Sequence, residues 1–477
     1  MTTQCTPTTL TFQPLGSREV IASFDGGTIS SDGGSVLLGE VEAKTHILQQ
    51  LATCFTDHRD PDLIEHTVAA LVAQRVYGLA LGYEDLNDHD TLRLDPLLAT
   101  VVGKDDPTGA DRCRAADRGK ALAGKSTLNR LELTPADASA AARYKKIVAR
   151  PEAIDRLFVD VFLQAHPQPP ASLILDLDAT DDPLHGQQEG RFFHGYYKEY
   201  CYLPLYIFCG DHLLGARLRT ADNDASWGSE EELERIVTQI RAVWPAVRIL
   251  LRADSGFCRE RLMSWCEARG IDYLFGLARN SRLEDMLAPA LADAHARYLT
   301  TGVAARVFAE LEYQTRDSWS RSRRVVGKAE YLPKGPNPRF VVTSLPAAER
   351  EAQSLYEDDY CARGDMENRI KEQQLMLFAD RTSTATLRAN QLRLYFSSVA
   401  YLLLEALRRL GLAGTAQARA QCQTLRLQLF KIGALVRVTV RKVWVSLSSA
   451  CPYQKLFVQV WSNVRQAAAV GVRPLRC

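Results

Sequence analysis

Two aspartates interrupt one of the most apolar stretches of the sequence, Leu173-Ile-Leu-Asp-Leu-Asp-Ala-Thr-Asp-Asp-Pro. Alternate side chains of a strand share a face, so Asp176 and Asp178 point the same way. A carboxylate inside or just beyond a buried strand is unfavourable unless it is paired or metal-bound. A second apolar strand, Val247-Arg-Ile-Leu-Leu-Arg-Ala, runs into Asp254. The small turn Ser255-Gly256-Phe257 leaves that carboxylate at the sheet edge, where α/β proteins gather ligands. A third acid, Glu367, belongs to the stripe Tyr360, Arg363, Glu367, Lys371 and Gln374, whose three- and four-residue spacing lines one helix face. Singly, a strand-end Asp is explained by a turn or helix cap, and such a stripe by a solvated, ion-paired face. Three acids on three elements together suit a cation site. Asp181 and Asp182, beside Pro183, read as turn residues.

The elements that must carry these residues follow from periodicity. Residues 41–160 read as helical, with apolar positions at helical spacing over 61–79 and 140–158. A Pro-containing stretch at 166–170 reads as a linker. Strands are expected at 172–177, 203–209, 213–219, 247–253 and 273–277. Helices are expected from a capping box at Ser229-Glu-Glu-Glu to Trp244, and over 259–269. This order predicts an α/β class with a mixed sheet. Residues 278–345 read as an insertion with β-like segments at 305–313 and 324–331, and helices resume at 347–377 and 387–410. The expected domains are 1–165 (helical), 166–277 and 346–414 (the two parts of the core), 278–345 (β-rich insertion) and 415–477 (basic).

At 477 residues and 46% hydrophobic, the chain can bury a large core. Eleven cysteines with no C-x-x-C pair argue against a disulfide framework or a zinc ribbon. No apolar run reaches the roughly 20 residues that span a bilayer, and the first residues lack a signal-peptide pattern. The expectation is therefore a cytoplasmic, nucleoid-associated protein with no membrane partner. The net charge of +1 hides an asymmetry: residues 381–477 hold twelve Arg and three Lys against Glu405 alone. Such a block is the electrostatic footprint of a polyanion binder, or else a solvated Arg-rich surface.

Three further patterns bear on chemistry. Gly119-Lys-Ala-Leu-Ala-Gly-Lys-Ser-Thr matches a phosphate-loop pattern, but Asp111-Arg-Cys-Arg-Ala-Ala-Asp-Arg before it is no buried strand; a helix capped at Ser126 is expected instead. His185 and His194 flank a Gly-rich turn and read as surface histidines. Arg316, Trp319, Arg321, Arg323 and Arg324 form a basic run around one aromatic, which suggests either stacking on a displaced base or a hairpin with a packed Trp.

The segments Leu175-Asp-Leu-Asp-Ala-Thr-Asp-Asp-Pro-Leu-His-Gly, Arg252-Ala-Asp-Ser-Gly-Phe and Tyr360-Cys-Ala-Arg-Gly-Asp-Met-Glu-Asn-Arg-Ile-Lys-Glu resemble DDE transposases of bacterial insertion sequences. The resembling group carries its last acid in Y-x2-R-x3-E-x6-K; here Tyr360, Arg363 and Glu367 fall at those spacings, with Gln374 at the final position and Lys371 one turn earlier. The resemblance spans roughly residues 20–410. It implies a ribonuclease-H-like core with a β-rich insertion and a helical N-terminal region that binds terminal inverted repeats. It also implies Asp178, Asp254 and Glu367 as catalytic metal ligands for two Mg²⁺ (or Mn²⁺) ions, Asp178 being chosen over Asp176 because Asp-Ala-Thr aligns with the family's D-x-T. Tyr360, Arg363 and Lys371 would hold DNA phosphate, with Trp319, Arg323 and Arg324 also touching DNA. The expected partners are double-stranded DNA, as element ends and target, and a second copy in a homodimeric DNA complex. The rival readings are a metal-dependent nuclease and an inactive transposase-derived DNA-binding protein.

Overall fold

Period-two burial along Ser172–Ala179 organises its surroundings: Leu173, Leu175 and Leu177 are buried on one face, and Asp176 and Asp178 stand on the other. In the computed structural model, which describes residues 9–468, this strand (β1) lies inside a large mixed sheet. The chain divides into two units, one built from residues 53–56 and 149–405, the other from 9–52, 57–148 and 406–468.

The first unit carries, in chain order, α1 (Pro151–Ala165), β1, β2 (Leu205–Cys209), β3 (His212–Arg217), α2 (Ser229–Val243), β4 (Arg248–Ala253), α3 (Glu260–Ala268) and β5 (Asp272–Leu277). After these come α4 (Ser281–Thr301), β6 (Ala305–Tyr313), β7 (Arg323–Leu332), β8 (Arg339–Thr343), α5 (Gly364–Lys371) and α6 (Leu387–Leu407). The strand order is β3-β2-β1-β4-β5-β8-β7-β6. Within β1 to β5 only β2 runs against the rest, since β1, β4 and β5 pair in parallel and β2 pairs antiparallel with both neighbours. This is the expected ribonuclease-H-like arrangement. Both faces are covered: the Leu face packs on α1 to α4 through Phe162, Ile236, Met263 and Leu287. On the other face Leu274, Val326 and Val341 meet Leu355 and Tyr356 from the helical segment that leads to Glu367.

Several expectations are corrected. Residues 281–301 of the expected β-rich insertion form a 21-residue helix, capped by the Asn280 side chain and tolerating Pro289 inside it. The strands after it extend the central sheet through the β5–β8 pairing. Ser229 is not a cap; Gly228 holds that position at φ 74°, and the Ser229 hydroxyl donates to the Ser226 carbonyl. Residues 140–146 are not helical, and α1 starts at Pro151, whose missing N–H is harmless in a first turn. The expected continuous helix over 347–377 is broken into widened turns at Leu355–Tyr360 and Glu372–Met376 around α5. Such π-type turns are rare and recur at functional sites.

The second unit joins the helices Val36–Thr45, Val68–Leu81, Pro96–Val102 and Lys125–Glu132 to the C-terminal segment. Ala434–Val438 pairs with both Val443–Leu447 and Ile29–Ser30. The Arg-rich block is thus partly internal: Arg426 is buried, and its guanidinium donates to the carbonyls of Leu79 and Ala80. Arg437, Arg441 and Lys442 stay exposed on the Ala434–Leu447 hairpin. Arg473 and Arg476 lie outside the described residues. At the phosphate-loop pattern the helix is capped by Gly124, not Ser126, and the Lys125 N–H donates to the Asp90 carboxylate at 3.1 Å. An anion there would meet a carboxylate.

Candidate active site

Strand register builds the site. Parallel pairing sets Arg252 opposite Asp176, so two residues farther on Asp178 and Asp254 reach neighbouring strand ends on the same face. That face is the one covered by the helical segment 352–376. Asp176 is already paired. Its carboxylate takes two hydrogen bonds from the buried Arg252 guanidinium, at 2.5 Å to Nε and 2.8 Å to the second terminal nitrogen. Arg252 also donates to the Asp359 carbonyl, which ties β1 and β4 to the turn before Tyr360. Asp178 instead faces Arg363, 3.3 Å away, and the same guanidinium reaches Glu367 at 2.7 Å. Asp254 begins a tight turn, its Oδ1 accepting from the Gly256 N–H at 2.8 Å.

Electrostatics mark Asp178. Burial pushes its carboxyl up to about 6; Arg363 opposes this, while Asp254 and Glu367 add to it as like charges. A carboxyl raised by burial and by acidic neighbours is a frequent mark of a functional site. Glu367 is the more open of the group, on the exposed side of α5, whose Met366 and Ile370 face inward. Among the described residues no three of His, Cys, Asp or Glu stand close enough together to ligate an ion, and Arg363 pairs with both Asp178 and Glu367. Its guanidinium stands in for positive charge at a point where carboxylates from two elements converge. The donor set is hard oxygen, which suits Mg²⁺ or Mn²⁺ rather than softer ions.

Tyr360 packs against Tyr356, ring centres 5.6 Å apart, and its hydroxyl is directed at β5. A Cβ at Gly276 would fall 2.5 Å from that hydroxyl and 2.9 Å from the Ser255 nitrogen. Glycine is therefore required where Tyr360 crosses the strand beside Asp254. Burial raises the Tyr360 phenol above its usual range, with Arg363 opposing. Lys371 is exposed one turn beyond Glu367. Gln374, at the place of the family's Lys, donates to the Asp181 carbonyl at 2.9 Å and so fastens the helix to the segment after β1.

The structure brings Asp178, Asp254, Tyr360, Arg363 and Glu367 together and leaves Trp319, Arg323 and Arg324 elsewhere. Trp319 is buried, edge-on to Tyr313 at 5.6 Å. Arg323 is buried beside it and holds Glu260 at 2.6 Å and Glu267 at 2.8 Å. Arg324 pairs with Glu310 and donates to the Leu345 and Arg350 carbonyls. These three organise the fold around β7, the packed-Trp alternative that the basic run also suggested. Asp182 is likewise no turn residue; it is buried in a short strand opposite Tyr202, and burial with Asp380 nearby holds its carboxyl well above the usual range. Sequence reasoning missed Arg252 and Gly276. A charged residue inside an apolar strand demands a partner, and a glycine inside a buried strand marks close approach.

The chain matches the family model described as transposase DDE domain, group 1, over residues 12–469. The chain belongs to this family. Membership implies nucleotidyl transferase or endonuclease activity, and DDE transposases generally use divalent metal ions. No curated protein sequence matches it. Among solved structures it is similar to a piggyBac transposase synaptic complex with hairpin DNA, determined by cryo-EM, at 12% identity over 84% of this chain and 80% of that chain with a TM-score of 0.41. No described helix is long and apolar enough to cross a membrane.

Proposed function

We propose that the chain cuts DNA at the ends of an insertion sequence and joins the freed 3′-hydroxyl to target DNA, with Asp178, Asp254 and Glu367 as the ligands of two divalent ions. Carboxylates from three separate elements on one sheet face, with Arg363 as the interposed cation, carry this reading. When bound, such ions activate the attacking oxygen and stabilise the leaving one in an in-line phosphodiester displacement. The chain's own residues do the positioning. Arg363, freed from its acids, offers a bidentate grip on phosphate. Tyr360, held over Gly276, supports the same strand, and Lys371 adds a point charge one turn on. The exposed Arg437, Arg441 and Lys442 would hold the DNA backbone without reading sequence.

The test is strand transfer. A labelled duplex carrying the DNA that flanks the gene for this chain should become covalently joined to plasmid in Mg²⁺. Cutting without joining would replace this reading by a nuclease, and binding without cutting by an inactive DNA-binding protein.

A further inference from the structure

Four large aromatic side chains stand in solvent on one short hairpin. The strands Phe192–His194 and Glu199–Tyr202 pair antiparallel with Phe193 opposite Tyr200. The chain reverses through Gly195-Tyr196-Tyr197-Lys198, Lys198 adopting φ 61° and donating its N–H to the His194 carbonyl at 2.8 Å. Phe192, Phe193, Tyr196 and Tyr200 are all exposed, Tyr196 at 83%. Phe193 and Tyr200 share one face, Phe192 lies on the other opposite Cys201, and Tyr196 stands in the turn; exposed apolar surface of this kind marks an interaction surface.

The patch is pre-formed and anchored. Phe193 and Tyr200 meet edge-on at 5.5 Å, and the Arg191 guanidinium lies 4.3 Å from the Tyr200 ring centre. At the base, Cys201 and Tyr202 pair with Pro183 and Asp182, and Cys201 packs with Leu203, Ala179 and Tyr197. Ala179 follows Asp178 directly, so the hairpin is fixed to the strand end that carries the first acid. The Tyr197 phenol registers this proximity: burial raises it to about 12, with Asp181 and Asp178 adding. Glu199, the acid of the hairpin, pairs with His194, in the register alternate to Phe193 and Tyr200, and hydrogen-bonds Asp181.

We propose that the hairpin Phe192–Tyr202 is a stacking platform for unpaired bases of the DNA strand next to the catalytic acids, with Phe193, Tyr196 and Tyr200 as the base-contacting rings and Arg191 and Lys198 at the phosphates. This rests on the reading of the site as one that acts on DNA. Exposed rings interleaved with cations match the faces of nucleobases and the charge of the strand between them, without sequence preference. The stacking role that the sequence suggested for Trp319 is thereby placed on different residues, beside the acids.

The experiment uses the full chain and two probes, a fluorescent 20-nucleotide oligo(dT) and a fully paired duplex, with binding read by anisotropy without divalent metal. Tyr196→Ala and Phe193→Ala should each weaken oligo(dT) binding about fivefold or more, since removing one base stack has at least that effect. Duplex affinity should change less than twofold, and Tyr196→Phe should restore oligo(dT) binding because the ring remains. Equal losses on both probes, or none on either, would overturn the proposal. So would unchanged DNA binding with an altered oligomeric state by light scattering, which would assign the patch to a second copy of the chain. Because the assay is metal-free, hairpin-dependent binding by a chain that cannot cut would leave this proposal standing while the catalytic reading fails. Cutting that is indifferent to these variants, with no oligo(dT) binding, would do the reverse.

Discussion

Asp176 and Asp178 differ by two positions, share a face and are both raised by burial, yet only Asp176 is the main partner of a buried guanidinium, and Asn substitution separates them. Asp176→Asn removes the charge that Arg252 meets through two short hydrogen bonds in a site where both side chains are under a tenth exposed. Breaking a buried pair from one side leaves an uncompensated charge and costs about 3–5 kcal/mol. For a unit of this size that is a fall of roughly 10 °C in melting temperature. Asp178→Asn should behave differently, because Arg363, 3.3 Å from Asp178, keeps Glu367 as a partner at 2.7 Å and is not left as an uncompensated charge. Its melting temperature without metal should be no lower than that of the natural chain, while DNA cleavage in Mg²⁺ is lost. The assay is thermal unfolding by circular dichroism at pH 7.5 with chelator, alongside end cleavage for each variant. A natural melting temperature in Asp176→Asn, together with abolished cleavage, would refute the division of labour and make Asp176 the first metal ligand.

Three further outcomes are expected. Gly276→Ala should displace Tyr360, lower cleavage at least about tenfold and lower the melting temperature by several degrees, since overpacking costs about 1–3 kcal/mol and the added Cβ meets a side-chain hydroxyl and the Ser255 backbone nitrogen; cleavage within twofold would dismiss the close approach as functional. Asp155, which accepts from Tyr395 at 2.7 Å, is pushed up to about 6 by burial, so its folded pKa lies above its unfolded value. The stability this confers is complete below about pH 4 and is lost as pH rises through 6, about 3 kcal/mol in all as an upper bound; Asp155→Asn should flatten the denaturation-midpoint profile between pH 4 and 7, and an unaltered profile would contradict this. Changing Arg437, Arg441 and Lys442 together to Gln should make the slope of log affinity against log salt shallower by about 0.9 for each phosphate no longer neutralised, up to about 2.7; an unchanged slope would remove these residues from the DNA surface.

What the sequence made legible follows from which forces act locally. The strands β1, β4 and β5 announced themselves because each is an apolar run whose burial depends on its own residues, and the acids at their ends stood out against that background. The stripe from Tyr360 to Gln374 was visible as spacing, although its helix is interrupted by widened turns that periodicity does not encode. Less legible were properties set by tertiary partners. Nothing near Trp319 or Arg323 in the chain signals Glu260 and Glu267, whose side chains turn a basic aromatic run into an internal network. The helix Ser281–Thr301 was hidden by its polar composition and Pro289, and it is held through Leu283 and Leu287 on the sheet. The C-terminal block looked like a uniform basic surface because charge counts do not distinguish Arg426, which donates to backbone carbonyls of a helix more than three hundred residues away, from exposed Arg437.

In the proposed function Glu367 completes a carboxylate set that retains divalent metal for cutting DNA. Glu367→Gln keeps the side chain's shape and its place on α5 but removes the charge. The decisive measurement is end cleavage by this variant and by the natural chain, on the same labelled flanking duplex in Mg²⁺, with binding to that duplex measured in parallel without metal. Duplex affinity should stay within about twofold and cleavage should fall at least about a thousandfold, the scale on which removing one catalytic group acts. Cleavage by Glu367→Gln at near the natural rate in Mg²⁺ would contradict the proposed function.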